Sequence, residues 1–275
     1  MLDHRRLLPP GTLMAKINDT QYILIYGVNG NTARFLPALS VNKKGTKVVG
    51  IADIAHELPG SMTHKEIYGP QMFPLREKHH KENTPKAVHK DFPQVDTVGI
   101  VAPGRFNGKE LFDLKENNIP IVAVSSVINT HFQYVDYAVI SDTIKFNATA
   151  PHNITSVFCT YSHPGSSDQN WKDTTWYTHM DDPLPGIPQY YASEGVITDA
   201  LWFAIKQLKA KKVIMLGVEQ PITDSNYFWE SIFLQTHCFW YSQAGIQIWN
   251  CTPVSSVIAG VMIGKLDEAI NHKGD

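Results

Sequence analysis

Seven apolar, mostly β-branched runs punctuate the chain: YILIYG (22–27), TKVVGIAD (46–53), VDTVGIVAPG (95–104), IPIVAVSS (119–126), VDYAVISD (135–142), KKVIMLGVE (211–219) and IQIWN (246–250). Each is nearly continuous instead of alternating with polar residues, the pattern of strands covered on both faces. Helical patterns lie between several of them. Over 194–209 (EGVITDALWFAIKQLK), Ile197, Leu201, Ala204, Ile205 and Leu208 share one stripe, and Ser193 is placed to cap the amino end. Residues 108–117 and the aromatic-rich 227–243 predict two more helices. Strands alternating with helices predict an α/β fold with a doubly wound, mostly parallel sheet, in one domain spanning 1–275.

Two stretches interrupt the rhythm. Residues 54–93 and 143–192 are rich in Pro, Gly, His and aromatic residues and too long for ordinary connections, which predicts lids or binding loops with short helices of their own. Within the first, 76–90 (REKHHKENTPKAVHK) holds five Lys/Arg and three His against two Glu. Such a charge run reads as a solvated loop, and contact with nucleic-acid phosphates is left open.

Composition narrows the class without naming it. A chain of 275 residues can bury a substantial core, and 43% hydrophobic residues, 18% charged residues and a formal net charge of −2 describe an ordinary globular protein with no global attraction to nucleic acid. Cys159, Cys238 and Cys251 are far apart, with no C-x-x-C and no zinc spacing, which fits a reducing compartment. MLDHRRLLPPGTL lacks an apolar signal core, and no stretch reaches the roughly 18 apolar residues of a spanning helix, so a cytoplasmic protein without a membrane is expected. The sequons at Asn147, Asn153 and Asn250 are then coincidental. A homo-oligomer is compatible with all of this.

Candidate chemistry follows from the strand ends, because ligands of open parallel sheets sit outside the carboxyl ends of the strands. LIYGVNGNTARFLP (24–37) runs from a strand through a turn of Gly27, Asn29, Gly30 and Asn31 into a helical start, the arrangement that offers backbone N–H groups to an anion. It lacks the Gly-Lys-Ser/Thr of a P-loop, and its two glycines do not complete the dinucleotide fingerprint. Asp53 follows the second strand; Pro103, Gly104 and Arg105 the third; Ser125 and Ser126 the fourth; Asp142 the fifth; Glu219 the sixth; Asn250 and Thr252 the last. Asp53, Asp142 and Glu219 could hold a divalent cation, a ribose diol or an amine, or could simply cap helices.

Twelve histidines concentrate in the two long stretches. His163 in CTYSHPG and His179 in WYTHMDD lie beside aromatic residues able to stack on a base or sugar, and an imidazole can take a proton from an attacking hydroxyl. No H-E-x-x-H and no G-x-S-x-G is present, which disfavours a zincin and an α/β-hydrolase.

SEGVITDALWFAIKQLKAKKVIMLGVEQ (193–220) resembles the hallmark segment of the motility accessory factor and 6-hydroxymethylpterin pyrophosphokinase-like superfamily, a small-residue turn, a helix and a strand ending Gly-Val-Asp. GVNGNTARFLPAL resembles that family's Gly-Asn-Gly-Pro-Ser-Leu turn, VDYAVISD its Asp-ended strand and GIQIWNCTP its closing strand. Family-42 sialyltransferases look related to the same fold. The resemblance implies a Rossmann-like domain that binds a nucleotide or nucleotide-sugar and transfers part of it. Gly27, Gly30 and Asn31 would match the phosphate-side turn, Asp142 the strand-end Asp, Ser193 and Gly195 the small-residue turn, and Glu219 the family's acid. Asn-Thr stands where the family has Pro-Ser, Glu219 replaces Asp, and no His aligns with the sialyltransferase base.

The resulting expectation is a glycosyltransferase-like enzyme using a nucleotide-sugar donor. The nucleotide would lie over Gly27, Asn29, Gly30 and Asn31 and near Asp53, with Ser126, Ser193 and Gly195 contributing. Asp142 and Glu219 would bind sugar hydroxyls or Mg²⁺ or Mn²⁺, and His163 or His179 would deprotonate the acceptor, a glycan, a protein or a modified nucleic-acid base. The alternatives are a Mg²⁺-dependent pyrophosphokinase acting on a pterin-like alcohol, and a non-catalytic nucleotide-binding homologue.

Overall fold

A computed structural model describes residues 13–18, 21–25, 47–50, 64–179, 184–190, 195–219, 234, 237–238, 241–253 and 260–272. Its first three strands, β1 (Leu13–Asn18), β2 (Gln21–Ile25) and β3 (Lys47–Gly50), form a small antiparallel sheet in the order β2-β1-β3. The runs at 22–27 and 46–53 are therefore strands, but not members of the parallel sheet to which their apolar character assigns them. Two residues separate β1 from β2, a connection that permits only an antiparallel pair; a parallel one would need a crossover of a dozen residues.

The large sheet is built from β4 (Thr97–Val101), β5 (Ile121–Val124), β6 (Tyr137–Ile140), β7 (Thr155–Cys159), β8 (Asp173–His179), β9 (Gln189–Tyr190), β10 (Lys212–Leu216), β11 (Gln247–Asn250) and β12 (Met262–Ile263). Their order is β12-β11-β10-β4-β5-β6-β7-β8-β9, and every one of these pairings is parallel. From β4 the chain steps outward strand by strand to β9, then returns to place β10 on the other side of β4 and steps outward again. The order thus reverses between β4 and β10.

Both faces are covered, as the continuous apolar runs require. On β4 and β5, Val98, Ile100, Val122 and Val124 point into one core, and Val101, Ile121 and Ala123 into the other. Helix Val196–Trp202 and the π-helical turn Phe203–Gln207 that continues it cover the first face, where Ile197, Leu201, Ala204, Ile205 and Leu208 are all buried. Gly195, not Ser193, is the cap of that helix, and it offers no side-chain bond; Ser193 lies outside the described residues. Helix Gly108–Glu116 lays Leu111 and Leu114 on the second face, each side chain contributing about 1.5–3 kcal/mol by burial. It starts where it does because Asn107 and Glu110 form a reciprocal capping box.

The two long stretches hold more than loops. Residues 143–192 contain β7, β8 and β9, three members of the sheet. Residues 54–93 contain a 20-residue helix, His64–Asn83, followed by a 3-10 turn, Thr84–Lys86. The basic segment 76–90 is accordingly not a solvated loop. Arg76, His79 and Asn83 are buried, Lys86 pairs with Asp168 at 2.7 Å, and Lys90 pairs with Asp173. Lys78, Lys81, Lys86 and Lys90 of the segment are exposed.

No helix among the described residues is long and apolar enough to cross a membrane. The three cysteines are buried thiols outside any disulfide, and burial pushes the Cys251 thiol up to about 12, so it is an inert core residue at neutral pH.

Candidate functional site at the carboxyl edge of the sheet

The carboxyl ends of the parallel strands place the candidate residues in a row. From β11 across to β8 the row runs Asn250, Glu219, Arg105, Ser125 and Ser126, Asp142, His163 and His179. Two groups within it are built differently.

The first group sits where the strand order reverses. After β4 the chain turns through Pro103, Gly104 and Arg105; after β10 it turns through Gly217, Val218 and Glu219. The backbones of the two turns touch: Gly104 N–H donates to Gly217 O at 2.9 Å, and Ala102 N–H to Leu216 O at 2.9 Å. Side chains are excluded from this corner. A Cβ on Gly104 would lie 2.3 Å from Gly217 O, and one on Gly217, where φ is +69°, would lie 2.1 Å from Ala102 O. Glu219 accepts the Arg105 N–H at 2.7 Å, while the Arg105 side chain, 72% exposed, reaches into solvent with its Nε 3.6 Å from the same carboxylate oxygen. Arg105 is thus an exposed cation beside this tightly packed backbone, with Glu219 as its counter-charge.

Asn250 and Thr252 brace this corner from the β11 side. Thr252 Oγ1 accepts from Val218 N–H at 2.9 Å, Asn250 Nδ2 donates to Val218 O at 3.2 Å, and Asn250 Oδ1 accepts from Thr252 N–H at 3.1 Å. Both are buried, so they fix the chain before Glu219 instead of facing a ligand. On the β5 side, Ser125 holds a left-handed φ of 53°, a strained conformation at a strand end, and Ser126 is exposed beside it. Phe106 and His131 meet at 5.1 Å between ring centres and wall the corner, residues that the strand-end survey of the sequence passes over.

The second group lies beyond β6 and β7. His163 N–H donates to Asp142 O at 2.9 Å, so these two predicted residues are neighbours. His163 is also the N-cap of the short helix Pro164–Ser167, its Nδ1 accepting Gly165 N–H at 3.0 Å. The neutral ring therefore carries its proton on Nε2 and acts as a donor, which is not the role of a general base. The Asp142 residue as a whole is exposed, but its carboxyl is partly desolvated, which pushes it above the ordinary range, and Arg76 opposes this.

Asp142 and Glu219 are not brought together. Their strands, β6 and β10, are three spacings apart in the sheet, about 14 Å at ~4.8 Å per strand, too far to share one metal ion. Among the described residues no three His, Cys, Asp or Glu side chains converge to hold a metal. His179 ends β8 in register with Tyr190, and Gly195 begins the helix described above. Gly27, Asn29, Gly30, Asn31 and Asp53 lie outside the described residues, and the strands before them belong to the antiparallel sheet, so the rule of parallel strand ends does not extend to them.

The fold and this row of strand ends define an α/β protein with a Rossmann-like sheet. Comparison of the chain with family models, with curated proteins and with solved structures returns no match.

Proposed function

We propose that this protein is a glycosyltransferase-like enzyme whose nucleotide-sugar donor lies across the carboxyl ends of β4 and β10. The observation that carries the reading is the reversal of strand order at that point, with the Gly104 and Gly217 backbones packed together and the Arg105 side chain in solvent beside them. Arg105 neutralises the donor's phosphates. Asp142, two strand spacings or about 10 Å from β4, takes the proton of the acceptor hydroxyl. The acceptor oxygen then bonds to the anomeric carbon, the bond from that carbon to the donor phosphate breaks, and the nucleotide leaves with the electron pair. His163 donates a hydrogen bond from Nε2. A Mg²⁺ or Mn²⁺ ion would be held by one of the two carboxylates together with the donor phosphates, not by both. The resemblance of residues 193–220 to nucleotide-using transferases supports the same class.

The test is a thermal-shift panel of UDP-, GDP- and CMP-sugars with and without Mg²⁺ or Mn²⁺. At a hundredfold excess over its Kd, a true donor adds about 2.7 kcal/mol, or about 5 °C for a chain of this length. Arg105→Ala should remove that shift without changing the unliganded melting temperature. A panel in which no sugar nucleotide stabilises the protein overturns the reading, and a shift with ATP and Mg²⁺ alone points to the pyrophosphokinase.

A further inference from the structure

The crossover from the short helix Pro164–Ser167 to β8 borders a cavity of about 380 Å³ at the amino end of β8, away from the candidate residues at the carboxyl ends. The segment that follows the 3-10 turn Thr84–Lys86 walls it on one side and is tied down at three points. Lys86 pairs with Asp168 at 2.7 Å, Lys90 pairs with Asp173, and between them Val88 O accepts the Trp176 N–H at 3.0 Å. Trp171 and Trp176 line the cavity toward the core. Their positions are set before any ligand arrives: each ring meets Phe158, at 5.8 and 5.4 Å between centres, and Trp171 Nε1 donates to Ser166 O at 2.9 Å. The volume lies in the range of small-molecule sites, about 300–1,000 Å³.

The lining selects the chemistry of the occupant. Both acids already have a lysine: Asp168 is bonded to Lys86, and Asp173 to Lys90 and to the Thr174 N–H at 2.9 Å. The hydroxyls are engaged as well, Ser167 donating to Pro164 O at 2.8 Å and Thr174 Oγ1 lying 3.0 Å from Ser156 Oγ. Lys172 is different. Its side chain is exposed, makes no hydrogen bond or ion pair among the described residues, and acts on Asp173 only through its field. Three ammonium groups thus stand against two carboxylates, an excess of one positive charge. Val88, 52% exposed, adds an aliphatic side chain that an occupant would take out of water. A phosphate monoester would bring about 1.5–2 negative charges, more than the excess, and a neutral molecule would gain nothing from Lys172. We infer that this cavity binds a small carboxylate with an aromatic or aliphatic body, its single charge at Lys172 and its apolar part against Val88, Trp171 and Trp176. The site is separate from the transfer reaction above and does not rest on it.

Intrinsic tryptophan fluorescence of the full chain, titrated with 4-phenylbutyrate, octanoate and acetate at constant ionic strength, provides the test. The two longer carboxylates should saturate, and acetate should not saturate in the same range. Neutral 4-phenylbutanol should bind about tenfold more weakly than 4-phenylbutyrate. Lys172→Ala and Val88→Ser alter exposed side chains, so both should fold normally, and each should weaken 4-phenylbutyrate binding about fivefold. Lys172→Glu should abolish it. Arg105→Ala should leave it unchanged, so failure of this inference and failure of the nucleotide reading are separable. A signal that does not saturate, an alcohol that binds as well as the acid, or an unchanged affinity in Lys172→Ala overturns the inference.

Discussion

Gly217→Ala probes the corner on which the nucleotide site depends. Two costs add. The left-handed φ of +69° is unfavourable for alanine by about 1–2 kcal/mol. The new methyl would also lie 2.1 Å from Ala102 O and 3.0 Å from Phe106 Cδ1. Ala102 cannot yield easily, since its N–H is bonded to Leu216 O at 2.9 Å, and forcing an added carbon into such a site costs about 1–3 kcal/mol. The sum is about 2–5 kcal/mol. Unfolding entropy of about 2.1 cal/mol/K per residue gives about 0.6 kcal/mol/K for 275 residues, so the melting temperature should fall by about 3–9 °C. Gly108→Ala is the control. Nothing lies within 4 Å of its added methyl, at the first position of a helix, so stability should stay within about 0.5 kcal/mol or rise. Calorimetry of the two variants decides the matter: a Gly217→Ala protein that melts within about 1 °C of the parent would refute the close approach of the two turns.

Three further outcomes follow from the same geometry. Asn107→Ala removes half of a capping box and should cost about 1 kcal/mol in urea unfolding, whereas Asn107→Asp should restore most of it. Tyr177→Phe deletes the 2.8 Å bond to Asp199, an acid only 1% exposed, and should cost about 1.5–3 kcal/mol; a loss below about 0.5 kcal/mol would mean that this bond contributes nothing net. His237 is buried, and burial pushes its pKa down to about 4, so between there and about 6.5 the unfolded chain binds the proton that the folded one refuses. Stability should therefore be complete above about pH 6.5 and decline by up to about 3 kcal/mol as pH falls to 4, and His237→Gln should flatten that part of the profile.

Five strands of the large sheet were legible where burial on both faces wrote a continuous apolar run, whereas β7, whose TSVFC is as deeply buried, was not. VDTVGIVAPG, IPIVAVSS, VDYAVISD, KKVIMLGVE and IQIWN all contain strands of the large sheet. β8 was not legible, because DTTWYTH carries threonines where an apolar run would be expected. Thr175 and Thr178 are buried, their hydroxyls taken up by Lys90 N–H at 3.1 Å and Thr160 Oγ1 at 3.0 Å, a satisfaction no local pattern reveals. YILIYG and TKVVGIAD reveal strands but not which sheet receives them, since apolar character fixes burial and not pairing.

The site divides along the same line. Asp142, Glu219 and the serines at 125 and 126 were readable as strand ends because each follows its own run. That Glu219 meets Arg105, 114 residues away, depends on β10 returning to lie beside β4. Sequence order offers no sign of that return, which is why Arg105 and Gly217 carry more of the site than their local context suggests. The basic segment 76–90 misled for the opposite reason: charge composition describes a solvated face unless a fold turns Arg76 and His79 inward against the turns after β6 and β7.

Hydrogen exchange measured by mass spectrometry, with and without the sugar nucleotide that stabilises the protein best, tests the central claim most directly. If the donor lies at the reversal of strand order, amides in 102–107 and 217–219 should be protected on binding, and Arg105→Ala should abolish that protection. Binding that protects other segments and leaves both of these turns unchanged would contradict it.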